Sequence, residues 1–191
     1  VPGYPLIEAY LTGKELKTVA EIDASVSDLM TSARLYMYGL QFTYNPHRMI
    51  LNRVTDVYLL DADGNRRELE DDKLYRVVAD LYSGQMLSAV TKTSYGLLSV
   101  VPKKADGTPI ENFEDVILTD NGGELKAWTA IAHYMESFPD ENGDGIADIP
   151  QYYAGLHERK VVDDSANLIK LIKNPNKYAV MIAGVVLIVI L

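Results

Sequence analysis

A strand-to-helix transition lies in residues 5–16, PLIEAYLTGKEL. The residues from Val1 to about Leu11 are predicted to form an extended segment that enters the domain. Thr12 is followed three positions later by Glu15, which matches a capping box with a hydroxyl at the N-cap and a carboxylate at N3. Behind this signal, apolar residues recur at helical spacing and predict a helix over residues 14–30. The opening of the chain therefore predicts a strand followed directly by a helix with one apolar face.

Three later segments have the period of β-strands. Residues 40–44 and 75–81 alternate between apolar and polar side chains. Residues 54–60 have apolar side chains at both odd and even positions, which predicts a strand covered on both faces. Asp63-Gly64 predicts a hairpin turn after the strand at 54–60. A further strand is predicted over residues 96–101, where Pro102 would end it.

Helical patterns separate and follow these strands. They predict a short helix over residues 83–91, an amphipathic helix over residues 122–138 and a third helix over residues 164–173. The mixture indicates an α+β fold, in which amphipathic helices pack on a mixed sheet and a C-terminal helical extension follows. We predict a domain at 1–150, a helical extension or linker at 151–177 and an apolar terminal segment at 178–191.

The terminal segment is uncharged and almost wholly apolar from Tyr178 to Leu191. A helix of that length spans about 21 Å at ~1.5 Å per residue, which is short of the ~30 Å hydrocarbon core of a bilayer. A surface helix would show a polar face, and this segment has none. We therefore expect the start of a membrane anchor that continues in a longer protein. The alternative is a buried terminal helix or strand.

Composition limits the classes of function. The chain has 191 residues, 48% apolar and 24% charged, as is typical of a globular protein. Its net charge of −9 argues against a nucleic-acid surface, which needs clustered positive charge. The absence of cysteine excludes disulfides, thiolate zinc sites and a cysteine nucleophile. The chain starts at Val1 without a signal-peptide pattern, and we expect it to be a fragment.

Residues 140–151 contain a candidate calcium loop. Their pattern D-x-N-x-D-G matches the first six positions of an EF-hand-type loop, where alternate oxygens surround a hard cation and glycine permits a sharp turn. The twelfth position is Gln151 rather than the usual bidentate glutamate. We predict Ca²⁺ as a structural clip, and the alternative is an acidic turn between two helices. The predicted ligands are Asp140, Asn142, Asp144 and Asp148.

Catalytic motifs are absent from the sequence, which has no GxSxG, HExxH or P-loop. The three histidines lie in unrelated contexts, without the spacing of a metal site. Two arginine pairs could each hold an anionic group bidentately, and the alternative is that they are surface charges around turns. These pairs are Arg48 with Arg53, and Arg66 with Arg67. Tyrosine outnumbers phenylalanine thirteen to three, which suits stacking on a base or a sugar at strand ends.

Three stretches together resemble the C-terminal domain of the 5′-nucleotidase family of metal-dependent phosphohydrolases. They are residues 5–16, quoted above; residues 39–46 and 52–54, GLQFTYNP and NRV; and residues 74–79, LYRVVA. Their order and spacing match over residues 4–118. The resemblance implies a domain that supplies the nucleoside pocket, while an N-terminal metallophosphoesterase domain outside this sequence holds a pair of divalent metal ions.

The resemblance also implies a base sandwiched between two aromatic rings of this domain. The first stacking position falls at Tyr4 to Leu6, and Tyr82 or Tyr95 would supply the second. In the family, the YRV strand leads into a glycine-rich GGDG-aromatic turn. Here residues 82–87 read YSGQML instead.

We therefore expect a non-catalytic nucleoside- or nucleotide-binding domain of a 5′-nucleotidase-like phosphoester hydrolase that acts in nucleotide catabolism. Its expected partners are the N-terminal metallophosphoesterase domain and a nucleotide or related phosphoester, with no nucleic acid. We expect an extracellular location at a bacterial cell surface, held by a membrane anchor. The alternative is an architectural or interaction arm of a surface-anchored phosphohydrolase, without a nucleoside pocket.

Overall fold

The computed structural model describes residues 3–27, 34–61, 63–93 and 98–190. The chain divides into two compact units, each made of two stretches of sequence. The first unit comprises Val1–Thr12 and Leu74–His157, and the second comprises Gly13–Lys73 and Glu158–Leu191.

Strands and helices are mixed along the chain, as expected for an α+β protein. The strands are β1 (Leu6–Thr12), β2 (Leu40–Tyr44), β3 (Val54–Leu60), β4 (Arg66–Glu68), β5 (Leu74–Asp80), β6 (Thr119–Asp120), β7 (Gly123–Glu124) and β8 (Lys160–Val162). The helices are α1 (Gly13–Val26), α2 (Leu81–Thr93), α3 (Ala127–Glu136), α4 (Leu168–Ile172) and α5 (Lys177–Ile190), with 3-10 turns at Phe113–Val116 and Gln151–Ala154.

The first unit is built on an antiparallel pair, β1 with β5. Burial alternates along β1, so that Ile7, Ala9 and Leu11 point to one side. Ile7 and Ala9 form a buried cluster with Ile110 and Phe113. This alternation is the period of a strand with one covered face, and it fulfils the expectation for the opening of the chain.

Helix α2 approaches this cluster closely because of a glycine. A Cβ atom at Gly84 would lie 2.4 Å from Cδ1 of Ile7 and 3.3 Å from Cε1 of Phe113. Both distances are shorter than ordinary van der Waals contact, so the helix can pack here only without a side chain at this position.

The second unit contains a mixed four-stranded sheet in the order β4-β3-β2-β8. Strands β2, β3 and β4 are antiparallel neighbours, whereas β8 runs parallel to β2. Helix α1 covers one face, where Ala20 and Ala24 pack against Phe42. The predicted mixed sheet with an amphipathic helix on it is confirmed.

A buried carboxylate ties α1 to the sheet. Glu21 accepts hydrogen bonds from the backbone N–H groups of Arg53 (2.8 Å) and Val54 (2.9 Å) and from the hydroxyl of Ser25 (2.7 Å). Ser25 Oγ in turn accepts a bond from the backbone N–H of Leu51 at 2.9 Å. Burial raises the pKa of Glu21, although these donors and nearby Arg48 favour its charged form.

The turn between β2 and β3 fastens the C-terminal stretch of the second unit. Nδ2 of the buried Asn45 donates to the carbonyl of Ser165 at 2.8 Å. Oδ1 of the buried Asn52 accepts from the backbone N–H of Asn176 at 2.9 Å. Nη2 of Arg48 donates to the carbonyl oxygens of Lys173 (3.0 Å) and Asn174 (3.4 Å) in the turn after α4.

Several element boundaries differ from prediction. Helix α3 begins at Ala127 rather than at 122, because the preceding residues form the β6–β7 hairpin. Helix α4 begins at Leu168 rather than at 164, because the Asn167 side chain caps it there. The predicted strand at 96–101 is wrong for residues 98–101, which form no strand, and residues 94–97 lie outside the described residues.

Other predictions are confirmed or extended. The strands at 40–44, 54–60 and 75–81 are β2, β3 and β5, the last shifted by one residue, and the turn at Asp63-Gly64 joins β3 to β4. Helix α1 begins at Gly13, directly after the predicted N-cap Thr12 and one residue before the predicted start at 14, and the predicted end at 30 lies outside the described residues. The segment predicted as a helical extension, 151–177, also carries β8, which sequence periodicity did not reveal.

The apolar terminal segment is helical. Asn176 caps α5 by accepting hydrogen bonds from the backbone N–H groups of Tyr178 and Ala179, both at 3.1 Å. These two residues are buried, whereas much of the remaining helix, including Val185 and Leu187, is exposed. Within the described part of the chain, no helix combines the length and the hydropathy needed to cross a bilayer.

We predict that Gly84→Ala destabilises the protein, because the added methyl group displaces Ile7 or Phe113 from a filled core. Overpacking of this kind costs about 1–3 kcal/mol. Gly184→Ala in α5 is the matched control, since no atom lies within 4 Å of its Cβ position apart from its chain neighbours and the backbone of its own helix. Urea denaturation of both variants checks this; equal stability of the two would contradict the packing account.

We predict that Glu21→Gln destabilises the protein by about 1–3 kcal/mol, because one amide oxygen cannot accept all three donors. The folded carboxyl holds its proton to a higher pH than the unfolded one, whose ordinary pKa is 4.5. The stabilising contribution of Glu21 therefore falls as the pH rises above that value. Urea denaturation across pH should show wild type losing its advantage over Glu21→Gln as pH increases, and an advantage that stays constant or grows with pH would contradict this account.

Candidate functional site

Two of the predicted stacking residues lie together in the first unit. The ring centroids of Tyr4 and Tyr82 are 5.5 Å apart, and their planes are inclined by 30°. Tyr4 is 55% exposed and Tyr82 is 42% exposed, so each ring offers surface to solvent. They are separated by 78 positions in sequence, and the β1–β5 pairing brings them to the same end of the strands.

Backbone contacts hold both tyrosines in place. The carbonyl of Pro5 accepts a hydrogen bond from the N–H of Leu81 at 2.9 Å, which joins the chain beside Tyr4 to the start of α2. Asp80 caps this helix: its carboxylate accepts from the N–H (2.9 Å) and the hydroxyl (2.7 Å) of Ser83. Tyr82 therefore projects from a fixed first helical turn.

The spacing of the two rings decides how a base could bind. A base between two rings needs two stacking layers of ~3.5 Å each, or about 7 Å. Tyr4 and Tyr82 contact each other at 5.5 Å, so there is no such gap between them. The pair instead forms a single platform, on whose outer surface a flat ring can stack.

The other two predicted stacking residues are not part of this pair. Leu6 is half-buried at the start of β1, where its backbone N–H donates to Leu125 O at 2.8 Å and its side chain lies on the strand face opposite Ile7. Tyr95 lies outside the described residues. The stacking roles of these residues stay predictions.

Trp128 adds a third ring that sequence reasoning assigned only to an amphipathic helix. It is partly exposed at the start of α3, and a Cβ atom on Gly3 would lie 3.1 Å from its Cδ1 atom. The N–H of the neighbouring Ala127 donates to the carbonyl of Tyr4 at 3.2 Å. The signal that could have drawn attention to it is the single tryptophan in the sequence. Tyr4, Tyr82 and Trp128 together are called the aromatic surface below.

The four predicted calcium ligands occupy one closed loop. Both oxygens of Asp140 accept backbone N–H groups, from Gly143 (2.7 Å) and Gly145 (2.9 Å), and these bonds lower the pKa of Asp140. Asn142 and Asp144 each accept the N–H two residues on, at 2.9 Å. Asp148 closes the loop by accepting from the N–H of Glu141 at 2.8 Å.

These hydrogen bonds explain the turn without a cation. Among the described residues, no three Asp, Glu or His side chains come close enough to hold a metal ion together. Calcium binding by Asp140, Asn142, Asp144 and Asp148 therefore stays a prediction. An aromatic cluster fixes the two ends of the loop by ring contacts at 4.1–6.1 Å, and its members are Tyr134, Phe138, Tyr152, Tyr153 and His157.

Each of the three histidines contacts a different residue. Nε2 of His47 lies 2.8 Å from Asp164, and Nδ1 of His133 lies 3.7 Å from Asp120. His157 stacks on Tyr152 with a centroid distance of 4.1 Å.

The two arginine pairs that could hold an anion instead bond to carbonyl and carboxylate oxygens of the protein. Arg48 is buried and donates to backbone carbonyls, and Nη1 of Arg53 donates to the carbonyl of Ala24 at 2.9 Å. Arg66 forms two hydrogen bonds with Asp56 and another with Glu68, and Arg67 pairs with Asp61. The interpretation of Arg48 and Arg53 as surface charges around turns is wrong, because both make buried or half-buried structural bonds.

Residues 3–90 match a family model, that of the 5′-nucleotidase, C-terminal domain. This stretch belongs to the 5′-nucleotidase C-terminal domain family. The match contains the three motifs from which the resemblance was inferred, as well as Tyr4 and Tyr82 of the aromatic surface.

Two solved structures match parts of this chain. The crystal structure of a 5′-nucleotidase precursor from Thermus thermophilus matches with a TM-score of 0.52 and 20% identity, over 84% of this chain and 25% of that one. At this identity the likeness shows the fold of the 5′-nucleotidase C-terminal domain. A NAD nucleotidase from Haemophilus influenzae has a TM-score of 0.38 and 26% identity, over 43% of this chain and 15% of that one.

This chain spans about a quarter of the length of the Thermus protein. No curated protein matches the chain at a significant level.

We predict that calcium in the millimolar range raises the melting temperature of the 191-residue chain, and that Asp144→Ala abolishes this rise. A cation tenfold above its Kd stabilises the folded state by about 1.4 kcal/mol. Asp106→Ala is the matched control, because Asp106 also accepts a backbone N–H two residues on but lies in another turn. If wild type and Asp144→Ala respond equally to calcium, the loop does not bind it.

Proposed function

We propose that the chain is the non-catalytic nucleoside- or nucleotide-binding domain of a metal-dependent 5′-nucleotidase-like phosphoester hydrolase that acts in nucleotide catabolism. The family match over residues 3–90 supports this proposal. In the whole protein, an N-terminal metallophosphoesterase domain would hold the pair of divalent metal ions. This chain would contribute binding of the base rather than the chemistry of hydrolysis.

The observation that carries the proposal is the contact between Tyr4 and Tyr82. Two partly exposed rings, brought together from distant positions in the sequence, provide the apolar platform that a base requires. Stacking of one base on an aromatic side chain contributes about 1–3 kcal/mol. A ligand held by stacking alone would bind weakly, and an adjoining domain would supply the contacts to the phosphate.

A second candidate function is an architectural or interaction arm without a nucleoside pocket. Two observations favour it. The family's glycine-rich turn is replaced by α2, which begins at Leu81, and the rings of Tyr4 and Tyr82 lie too close to sandwich a base. An arm of this kind would keep the fold of the family and use its surface to contact another part of the protein.

The location of the protein is part of the same proposal. An extracellular, membrane-anchored domain at a bacterial surface would explain why α5 is apolar on all sides and largely exposed. In this arrangement α5 would be the beginning of the anchor, and calcium in the loop at 140–151 would stiffen the domain near the membrane.

We predict that adenosine and adenosine 5′-monophosphate shift the ring resonances of Tyr4 and Tyr82 in an NMR titration of the 191-residue chain. Tyr82→Ala should weaken binding at least about fivefold, because it removes one stacking partner. Tyr152→Ala is the matched control, since this tyrosine is also open to solvent (60% exposed) but lies in the aromatic cluster beside the acidic loop.

Three outcomes separate the candidates. Shifts confined to Tyr4, Tyr82 and Trp128 that disappear in Tyr82→Ala support a base-binding platform. The absence of shifts with every nucleoside, in a folded sample, supports the architectural arm. Shifts centred on the second unit contradict the assignment of binding to the aromatic surface.

A further inference from the structure

A cleft of about 390 Å³ lies in the second unit, where α1 ends and the parallel strands β2 and β8 begin. Its volume is within the range of small-molecule sites, about 300–1,000 Å³. The side chains that bear on its chemistry are Asp23, Arg34, Tyr36, Arg159 and Lys160. All belong to the second unit, whereas Tyr4, Tyr82 and Trp128 belong to the first.

The cleft has the opposite charge from the chain as a whole. Three cationic side chains, Arg34, Arg159 and Lys160, face one acid, Asp23, in a chain with a net charge of −9. Such a concentration of positive charge in an acidic protein favours an anionic ligand.

An ion pair between Asp23 and Lys160 forms one side of the cleft. Asp23 is only 2% exposed, and its Oδ2 lies 2.7 Å from Nζ of Lys160. Oδ1 of Asp23 accepts the backbone N–H of Leu35 at 2.7 Å, and Nζ of Lys160 also donates to the carbonyl of Leu35. The charge of Lys160 is therefore balanced by Asp23, and both side chains position the segment that carries Tyr36.

The guanidinium groups of the two arginines are available to bind an anionic ligand. Within the described ranges, no carboxylate forms an ion pair with Arg34 or Arg159. The guanidinium of Arg159 instead lies over the ring of Tyr38, with Cζ 5.0 Å from the centroid. A stacked guanidinium keeps its N–H edge available, and that edge matches the two oxygens of a phosphate or carboxylate.

An aromatic ring lies beside these charges. Tyr36 is 90% exposed, which is unusual for a tyrosine, and Nζ of Lys160 lies 5.8 Å from its ring centroid. An exposed ring next to a cation can stack on a flat ligand that carries a negative group.

We propose that this cleft binds a small anion attached to a flat ring, of the aryl phosphate class. Arg34 and Arg159 bind the oxygens of the phosphate, and Tyr36 stacks on the ring. Asp23 and Lys160 are positioning residues, which hold the segment before β2 in place. The site is independent of the aromatic surface and does not require that surface to bind nucleosides.

Isothermal titration calorimetry, which measures the binding affinity of the 191-residue chain for three probes, tests the proposal. Phenyl phosphate carries both the anion and the ring, inorganic phosphate carries only the anion, and phenol carries only the ring. We expect phenyl phosphate to bind at least about tenfold more tightly than either of the others, because only it uses both the cationic and the aromatic contacts. Absence of phenyl phosphate binding would overturn the proposal.

Variants assign the binding to the cleft. Arg159→Ala and Tyr36→Ala should each weaken phenyl phosphate binding at least about tenfold, and Arg159→Lys should restore it only in part, because lysine lacks the planar fork. Arg67→Ala on β4 is the matched control within the same unit, and Tyr152→Ala, which removes an exposed ring of the other unit, controls for the loss of a ring outside the cleft. Both should bind as wild type does.

The variants also keep the result interpretable if one of them is unstable. Tyr36 is so exposed that Tyr36→Ala should keep the melting temperature of wild type, and its binding can be measured even if Arg159→Ala unfolds. Phenyl phosphate binding that survives Tyr36→Ala and Arg159→Ala, or that is lost in Tyr152→Ala, would place the ligand elsewhere and refute the proposal.

Discussion

The buried guanidinium of Arg48 is the interaction on which the arrangement of the second unit depends. Arg48 is 6% exposed, and it donates to the carbonyls of Asn52 (2.6 Å), Lys170 (2.9 Å) and Lys173 (3.0 Å). A buried charge is tolerated when its hydrogen-bonding groups are satisfied, and carbonyls at the end of a helix are suitable acceptors because the helix dipole is negative there. Two stretches more than one hundred residues apart are thereby held together.

Other polar side chains of the second unit also connect segments that are distant in sequence. Asn45 and Asn52 fasten the segments before α4 and α5, and Glu21 fastens the strand end at Arg53 and Val54. Each is hydrogen-bonded to backbone groups, so each specifies one partner segment and one register. The same logic applies to the cleft, where buried Asp23 positions Leu35 and Lys160.

Local structure was largely predictable from the sequence, and contacts between distant segments were not. Alternation located β2 and β5, and the Thr12–Glu15 pattern located the start of α1, because these signals depend on neighbouring residues. β8 has only three residues and forms because Phe42 and Tyr44 of β2 lie beside Lys160 and Val162, so no local pattern reveals it. The candidate sites show the same division. Tyr4 and Tyr82 could be selected from family motifs, whereas Arg159 and Tyr36 belong to no motif and are separated by more than one hundred residues.

By itself the sequence determined the positions of the main strands and helices, the family resemblance of the first part of the chain and the acidic loop at 140–151. These follow from periodicity, capping and turn chemistry, which act over a few residues. Only the tertiary structure decided that Tyr4 and Tyr82 form a platform without a gap, that Arg48 is buried, and that three cations surround a cleft beside Tyr36. These depend on which distant backbone segments pair, and pairing is decided by packing and hydrogen bonding in three dimensions rather than by any local pattern.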